Sequence, residues 1–370
     1  MSPVLNLVLA ILIPLLALEA IRSLDLYQTG QFKIILFSLG GGIFVYGLAS
    51  IIHLTLIALD QADQTSITRN FAPFSEEILK GLFLLFLFRR YRFTYLFDGA
   101  LYGFAAGIGF AVAENIGYMI VGEGMTAQRV ISANLVHASS SAIIGIALGM
   151  VYLRRSPLRW LAFATGLLLA ISQHKVYNEI SLTSDPLISA VVVGLLGVVF
   201  VVLTIQHGKK LAQNWIKQKL GIDDGVTSHE VIAVDRIAHS DVVLFPILEH
   251  FGPEKAAQVE KLLYLEARLG LKHKALDSAP ETSNLHRTLE AEVRAMRKEV
   301  KAARRKIGAY TMLFVRGLFT DEMISVWDRM QAKVRERSAL TGGQKGGGLW
   351  SSLEERLNAH PDAKRQEERP

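Results

Sequence analysis

Long apolar runs separated by short polar segments fill the first 205 or so residues, and beyond them apolar residues recur at helical spacing among charges. A run of about 18 or more largely apolar residues is long enough to cross a bilayer as a helix. Seven runs qualify: Val4 to Ile21, Ile34 to Leu59, Phe71 to Phe88, Leu96 to Val121, Val130 to Leu153, Leu158 to Ile180 and Leu187 to Ile205. None shows strand-period alternation, and lipid offers no partners for free backbone groups, so each run is read as a helix. The predicted fold class is all-α: a polytopic membrane helix bundle of about seven transmembrane helices with a C-terminal soluble helical region.

Charge sharpens the division. The chain is 51% hydrophobic yet 20% charged, and about 12 of its 40 Lys and Arg residues precede His207. An apolar part therefore precedes a charged one, with expected boundaries at 1–207 for the bundle, 208–340 for a cytoplasmic charged helical region and 341–370 for a flexible tail. Cytoplasmic loops carry the Lys and Arg excess. Arg89-Arg90-Tyr91-Arg92, Arg154-Arg155 with Arg159, and Lys209-Lys210 are basic, whereas Asp60 to Asn70, Gly122 to Arg129 and Ser181 to Pro186 are poor in positive charge. Alternation of this kind predicts a multi-pass protein with its N-terminus outside and its C-terminus cytoplasmic. The first run follows Met-Ser-Pro without a basic leader and is read as a retained span.

In the charged part, Pro253 to Leu271 places Val259, Leu262, Leu263, Leu265 and Leu269 on a helical stripe. Ser283 to Arg337 continues with Leu289, Val293, Met296, Val300, Ile307, Leu313 and Phe314. A helical hairpin or small bundle is expected, with a partner-binding or self-associating surface over 208–340 as the alternative. Arg304-Arg305-Lys306 belongs to a basic face of the kind that lies on anionic lipid. Thr341 to Gly348 reads as a flexible joint and Pro361 to Pro370 as disordered. There is no cysteine, which excludes disulfides, thiolate metal sites and a cysteine nucleophile.

The candidate chemistry lies in polar groups inside the apolar runs, where an ionisable side chain costs at least about 2.5 to 3.5 kcal/mol. Glu76 and Glu77 are adjacent in the third run, and Lys80 stands at i,i+4 and i,i+3 from them, so one carboxylate exceeds the available positive charge. A desolvated carboxylate suits a general base near neutral pH. In the fourth run Gly99, Gly103 and Gly107 recur every four residues, a stripe that admits a neighbouring helix. Glu114 and Asn115 follow and require partners inside the bundle. His137 in the fifth run, and His174 with Asn178 at i,i+4 in the sixth, add imidazoles and an amide donor suited to polarising water and holding an oxyanion. His53 has no such company and is read as packing.

Glu76-Glu77-x-x-Lys80, Asp98-Gly99-x-x-Tyr102-Gly103, Gly107-x-Gly109-Phe110-Ala-x-x-Glu114-Asn115, His137-Ala and His174-x-x-x-Asn178 together resemble the PrsW family of polytopic membrane proteases, over about residues 30 to 205. That family is related to the CAAX prenyl protease and Abi group. The resemblance implies a glutamate-type intramembrane endopeptidase of a bacterial cell membrane, cleaving a membrane-anchored protein such as an anti-sigma factor. Glu76 or Glu77 would be the water-activating base, His174 its partner and Asn178 an oxyanion donor. Glu114 stands where the CAAX-type pattern has a histidine, and His137 would supply the missing imidazole. Lys80, Asn115, Gly103 and Gly107 are support residues.

The expected partners are the membrane-anchored substrate and the lipid bilayer, with no nucleic acid. No cofactor is expected on this reading. Zinc is the alternative, since Glu76 or Glu77, Glu114, His137 and His174 offer nitrogen and oxygen donors without a His-Glu-x-x-His motif. A third class is an inactive scaffold or a proton-coupled transporter whose buried acids relay protons.

Overall fold

The computed structural model describes residues 3–90, 93, 95–121, 127–152, 159–183, 188, 190–221 and 224–318. Arg92, the basic loop 154–158, the joint at 341–348, the tail and the stretch 319–337 of the last predicted helical region lie outside the described residues. Within the described residues the chain is helical with no strand. It divides into two compact units, residues 1–212 with 277–280, and 213–276 with the chain from 281 onward.

In the first unit α1 spans Pro3–Arg22 and α2 spans Phe32–Ala58. After a short α3 (Gln64–Ser66), capped by the Asp63 carboxylate at 2.6 Å from Ser66 N, a π-helical turn, Ile67–Phe71, leads into α4, Ala72–Arg90. Pro73 follows the π-helical turn directly and has no N–H to give to the carbonyls of that turn. Then come α5 (Leu96–Ile120), α6 (Ala127–Tyr152) and α7 (Arg159–Thr183), followed by a π-helical stretch, Ala190–Leu195, that runs into α8 (Leu196–Lys219).

Among the described residues, four stretches are long and apolar enough to cross a membrane: Phe32–Ala58, Leu96–Ile120, Val130–Met150 and Val192–Lys219. The helices α4 and α7 interrupt their apolar sequences with Glu76, Glu77, Lys80, His174 and Lys175, so the groups that build the site also lower the hydropathy of the helices that carry them.

Helix α5 is the axis of this unit and is buried along most of its length. Its glycine stripe meets the α6 backbone. A Cβ at Gly99, Gly103 or Gly107 would collide with the carbonyl of Gly145, Ser141 or His137 respectively. Only hydrogen in place of a side chain permits that approach. On another face Gly109 meets the carbonyl of Leu39 on α2, and Gly42 of α2 meets that of Ala106. Backbone-to-backbone contact on both sides fixes α2, α5 and α6 as one block. The His137 backbone is pinned directly against Gly107.

In the second unit, described to residue 318, α9 (Ser228–Asp235) opens with a capping box formed by Thr227 and Glu230. Helix α10 (Ser240–Ser278) breaks at Gly252, whose φ of 83° favours glycine, just before Pro253. Helix α11 (Asn284–Ile307) starts at Ser283, whose hydroxyl accepts from His286 N at 3.1 Å, and stops at Gly308 before α12 (Ala309–Gly317). The predicted stripes are buried at Val259, Leu262, Leu263, Leu265, Leu269, Leu289, Val293, Val300, Ile307 and Phe314. Leu313 departs from the expectation and is exposed, because Gly308 ends α11 and restarts the helical phase.

A second buried polar network ties this unit together. Arg304 Nη2 bonds Glu266 Oε1 at 2.7 Å, and Arg304 Nε and Arg316 Nε lie 3.4 and 3.6 Å from Oε1 of the equally buried Glu230. Asp224 accepts from His273 at 2.9 Å and from Arg297 at 2.7 Å.

Candidate active site

Four helices bring the predicted residues together. Helix α4 contributes Glu76, Glu77 and Lys80, α5 contributes Phe110 and Glu114, α6 contributes His137, and α7 contributes His174 and Asn178. Lys80 is at the centre and buried, its Nζ 2.8 Å from Glu77 Oε1 and 2.9 Å from His137 Nδ1, with the ammonium 4.0 Å from the centroid of the Phe110 ring. A cation over an aromatic face and against one carboxylate is compensated on two sides. The pairing therefore goes to Glu77 at i,i+3, leaving Glu76 as the surplus carboxylate that the sequence foretold without identifying.

The imidazoles are oriented by what surrounds them. Lys80 is a donor only, so His137 accepts at Nδ1 and its Nε2–H donates to Glu114 Oε2 at 3.0 Å. His174 donates from Nδ1 to Glu77 Oε1 at 2.9 Å. In its neutral form His174 then carries a lone pair on Nε2, which stands 3.9 Å from Glu76 Oε2. The Glu76 oxygen is buried and makes no hydrogen bond. The two rings lie edge to face, 4.8 Å between centroids.

This constellation borders a cleft of about 510 Å³ lined by Glu76, Glu114, His137, His174, Asn178 and His53 among others. Glu77 and Lys80 stay behind the wall and do not line it. Asn178 lines the cleft and donates from Nδ2 to the Thr68 carbonyl at 2.8 Å, in the π-helical turn that precedes α4. An amide carries two N–H groups, so one remains for a ligand. Asn115 is brought only to the neighbourhood: one residue beyond Glu114 on the helix, it is fully buried, and neither its amide nitrogen nor its oxygen makes a hydrogen bond. Gly103 and Gly107 serve the α5–α6 contact described above.

Glu76, His137 and His174 also have donor atoms within 4.8 Å of one another, the spacing of a metal-ligand set. In type the set suits zinc, and Glu77 and Glu114 stand behind the two histidines as carboxylates do around metal-bound imidazoles. Two of the three donors, Glu76 Oε2 and His174 Nε2, are available as they stand. His137 has both nitrogens engaged, and it ligates only when Lys80 or Glu114 releases it.

His53, which residue order alone reads as packing, lines the same cleft. Its usable signal was position: it lies one turn from the end of α2, and the following loop and turn return the chain to Glu76.

Fold and site define a helical membrane protein with a buried carboxylate–histidine centre. Residues 30–205 match the family model described as PrsW family intramembrane metalloprotease, and that segment is a domain of the PrsW type of membrane-embedded protease. No curated protein matches the chain, and no solved structure does.

Proposed function

We propose that the membrane unit is an intramembrane endopeptidase of glutamate type that cleaves a membrane-anchored protein, with Glu76 as the base that activates water. The observation carrying this reading is the facing pair of acceptors, Glu76 Oε2 and His174 Nε2, 3.9 Å apart on the wall of the cleft. Two acceptors at that separation have nothing to give each other, and one water can donate to both. As the water oxygen attacks a peptide carbonyl carbon, its proton passes to Glu76, and the developing oxyanion receives the free N–H of Asn178. Collapse breaks the C–N bond, and the proton held by Glu76 goes to the leaving amine. Glu77 orients His174, and Lys80 holds Glu77 as an anion.

The proposed topology has about seven crossings with the N-terminus outside, which puts Glu76 and Asn178 toward the outer leaflet, within reach of water. By the family resemblance, the substrate is a signalling regulator such as an anti-sigma factor. The test is quantitative proteomics of membrane-anchored proteins in cells carrying the wild-type protein or E76Q. Fragments unique to the wild type support the reading, and indistinguishable profiles refute it.

A second reading rests on the metal-ligand spacing. Zinc held by Glu76, His137 and His174 would supply Lewis-acid polarisation of the water and carbonyl. The engagement of both His137 nitrogens favours the first reading.

A further inference from the structure

His53 has one ring nitrogen engaged by the protein and one without a hydrogen bond among the described residues. Its Nε2 lies 2.8 Å from the hydroxyl of Ser75, the residue before Glu76. That hydroxyl has a single proton and two backbone carbonyls in reach, Phe71 O at 3.1 Å and Ala72 O at 3.3 Å, the usual back-bond of a helical serine. In the tautomer that goes with the serine proton directed there, the contact to His53 is made by Nε2–H, and neutral His53 carries its lone pair on Nδ1. The ring packs edge-on against Phe71, 6.0 Å between centroids and 77° between planes, so its orientation is held from a second side. It stands half-buried in the cleft wall with Glu76, Glu114, His137 and His174, and Nδ1 makes no hydrogen bond among the described residues.

A peptide cut in this cleft brings a matching need. Its carbonyl is reached by water only where the chain is unwound, and an unwound segment carries backbone N–H groups that no longer have intrahelical acceptors. Away from bulk water those donors must be met by the protein. The carboxylates on the cleft wall are committed to proton transfer or to a histidine. In the tautomer described above, His53 Nδ1 is a neutral acceptor beside them.

We propose that His53 is a substrate-binding residue whose Nδ1 accepts a hydrogen bond from a backbone N–H of the unwound substrate segment. This rests on the peptidase reading above. The alternative is that His53 only braces Ser75 and the start of α4.

The test uses full-length protein in proteoliposomes and a library of fluorogenic single-span peptides, followed on the member that the wild type cleaves fastest. H53F keeps the aromatic contact and loses both nitrogens, H53N keeps a polar atom near Nδ1, and H53Q keeps one near Nε2. The expected result is a fall in kcat/KM of roughly ten- to a hundredfold for H53F and H53Q, with H53N recovering most of the activity. An ester in place of the contacted amide should cost the wild type a similar factor and cost H53F nothing further. H53F activity within twofold of wild type, or recovery by H53Q and not by H53N, overturns the proposal. If H53F does not fold, the comparison of H53N with H53Q decides alone. E76Q is the parallel control: cleavage by E76Q equal to wild type, or a library the wild type leaves whole, overturns the peptidase reading and this inference with it.

Discussion

His174 Nδ1 lies 2.9 Å from Glu77 Oε1, and that bond turns its other nitrogen toward Glu76. Adjacent glutamates thereby acquire different tasks. Glu77 is sealed between Lys80 and His174, and Glu76 faces the cleft.

The two positions should respond differently to the same substitution. E76Q should abolish cleavage while leaving thermal stability in detergent close to wild type, because Glu76 makes no hydrogen bond to lose at Oε2. E77Q should leave the Lys80 ammonium buried without its counter-charge, at a cost of about 3 to 5 kcal/mol. A melting series on both variants separates them, and equal destabilisation would count against the division of roles.

The α5–α6 contact should be intolerant of a single methyl group. G107A drives a Cβ into the His137 carbonyl and should lower both melting temperature and activity, whereas at Gly47 an added Cβ meets nothing within 4 Å. G47A should be neutral or stabilising by up to about 1 kcal/mol through helix propensity. Similar melting temperatures for the two variants would show that the stripe does not set the packing.

Metal removal gives a third prediction. With His137 engaged at Nδ1 by Lys80 and at Nε2 by Glu114, cleavage should persist after exhaustive chelation, with sub-stoichiometric metal by elemental analysis. One tightly held zinc per chain, lost together with activity and also lost in E76Q and H174A, would transfer the assignment to the zinc reading.

In the second unit burial raises the Glu266 carboxyl to about 7, with Arg304 opposing the shift and Glu230 adding to it. The folded unit holds this proton to a higher pH than the unfolded chain, which releases it near 4.5. The resulting stabilisation is fully present below about pH 4.5 and is lost as pH rises through about 7. Asp224 is shifted the other way by His273 and Arg297, so its contribution is lost only at more acid pH. Hydrogen exchange over Leu262–Leu269, corrected for intrinsic rates, should show less protection at pH 7.5 than at pH 5.5, and E266Q should flatten the difference.

Much of this was readable from residue order because it is local. The helices follow from apolar run length, and that Lys80 reaches one of the two carboxylates follows from its i,i+4 and i,i+3 spacing to Glu76 and Glu77 within one helix. The glycine stripe of α5 announced a close neighbour. Sequence could not say which carboxylate would face the cleft, since that depends on His174, 97 residues beyond Glu77. His53 looked solitary because its partner, Ser75, belongs to another helix. Asn115 shows the converse: adjacent to Glu114 in sequence, it points about 100° away around the helix and does not line the cleft.

The central claim, that Glu76 activates water for peptide hydrolysis, is tested most directly by incubating membranes holding the protein in ¹⁸O-labelled water and mapping new carboxyl termini by mass spectrometry. The wild type should yield fragments with one ¹⁸O in the new carboxyl group, and E76Q none. The same labelled fragments from E76Q would contradict the account.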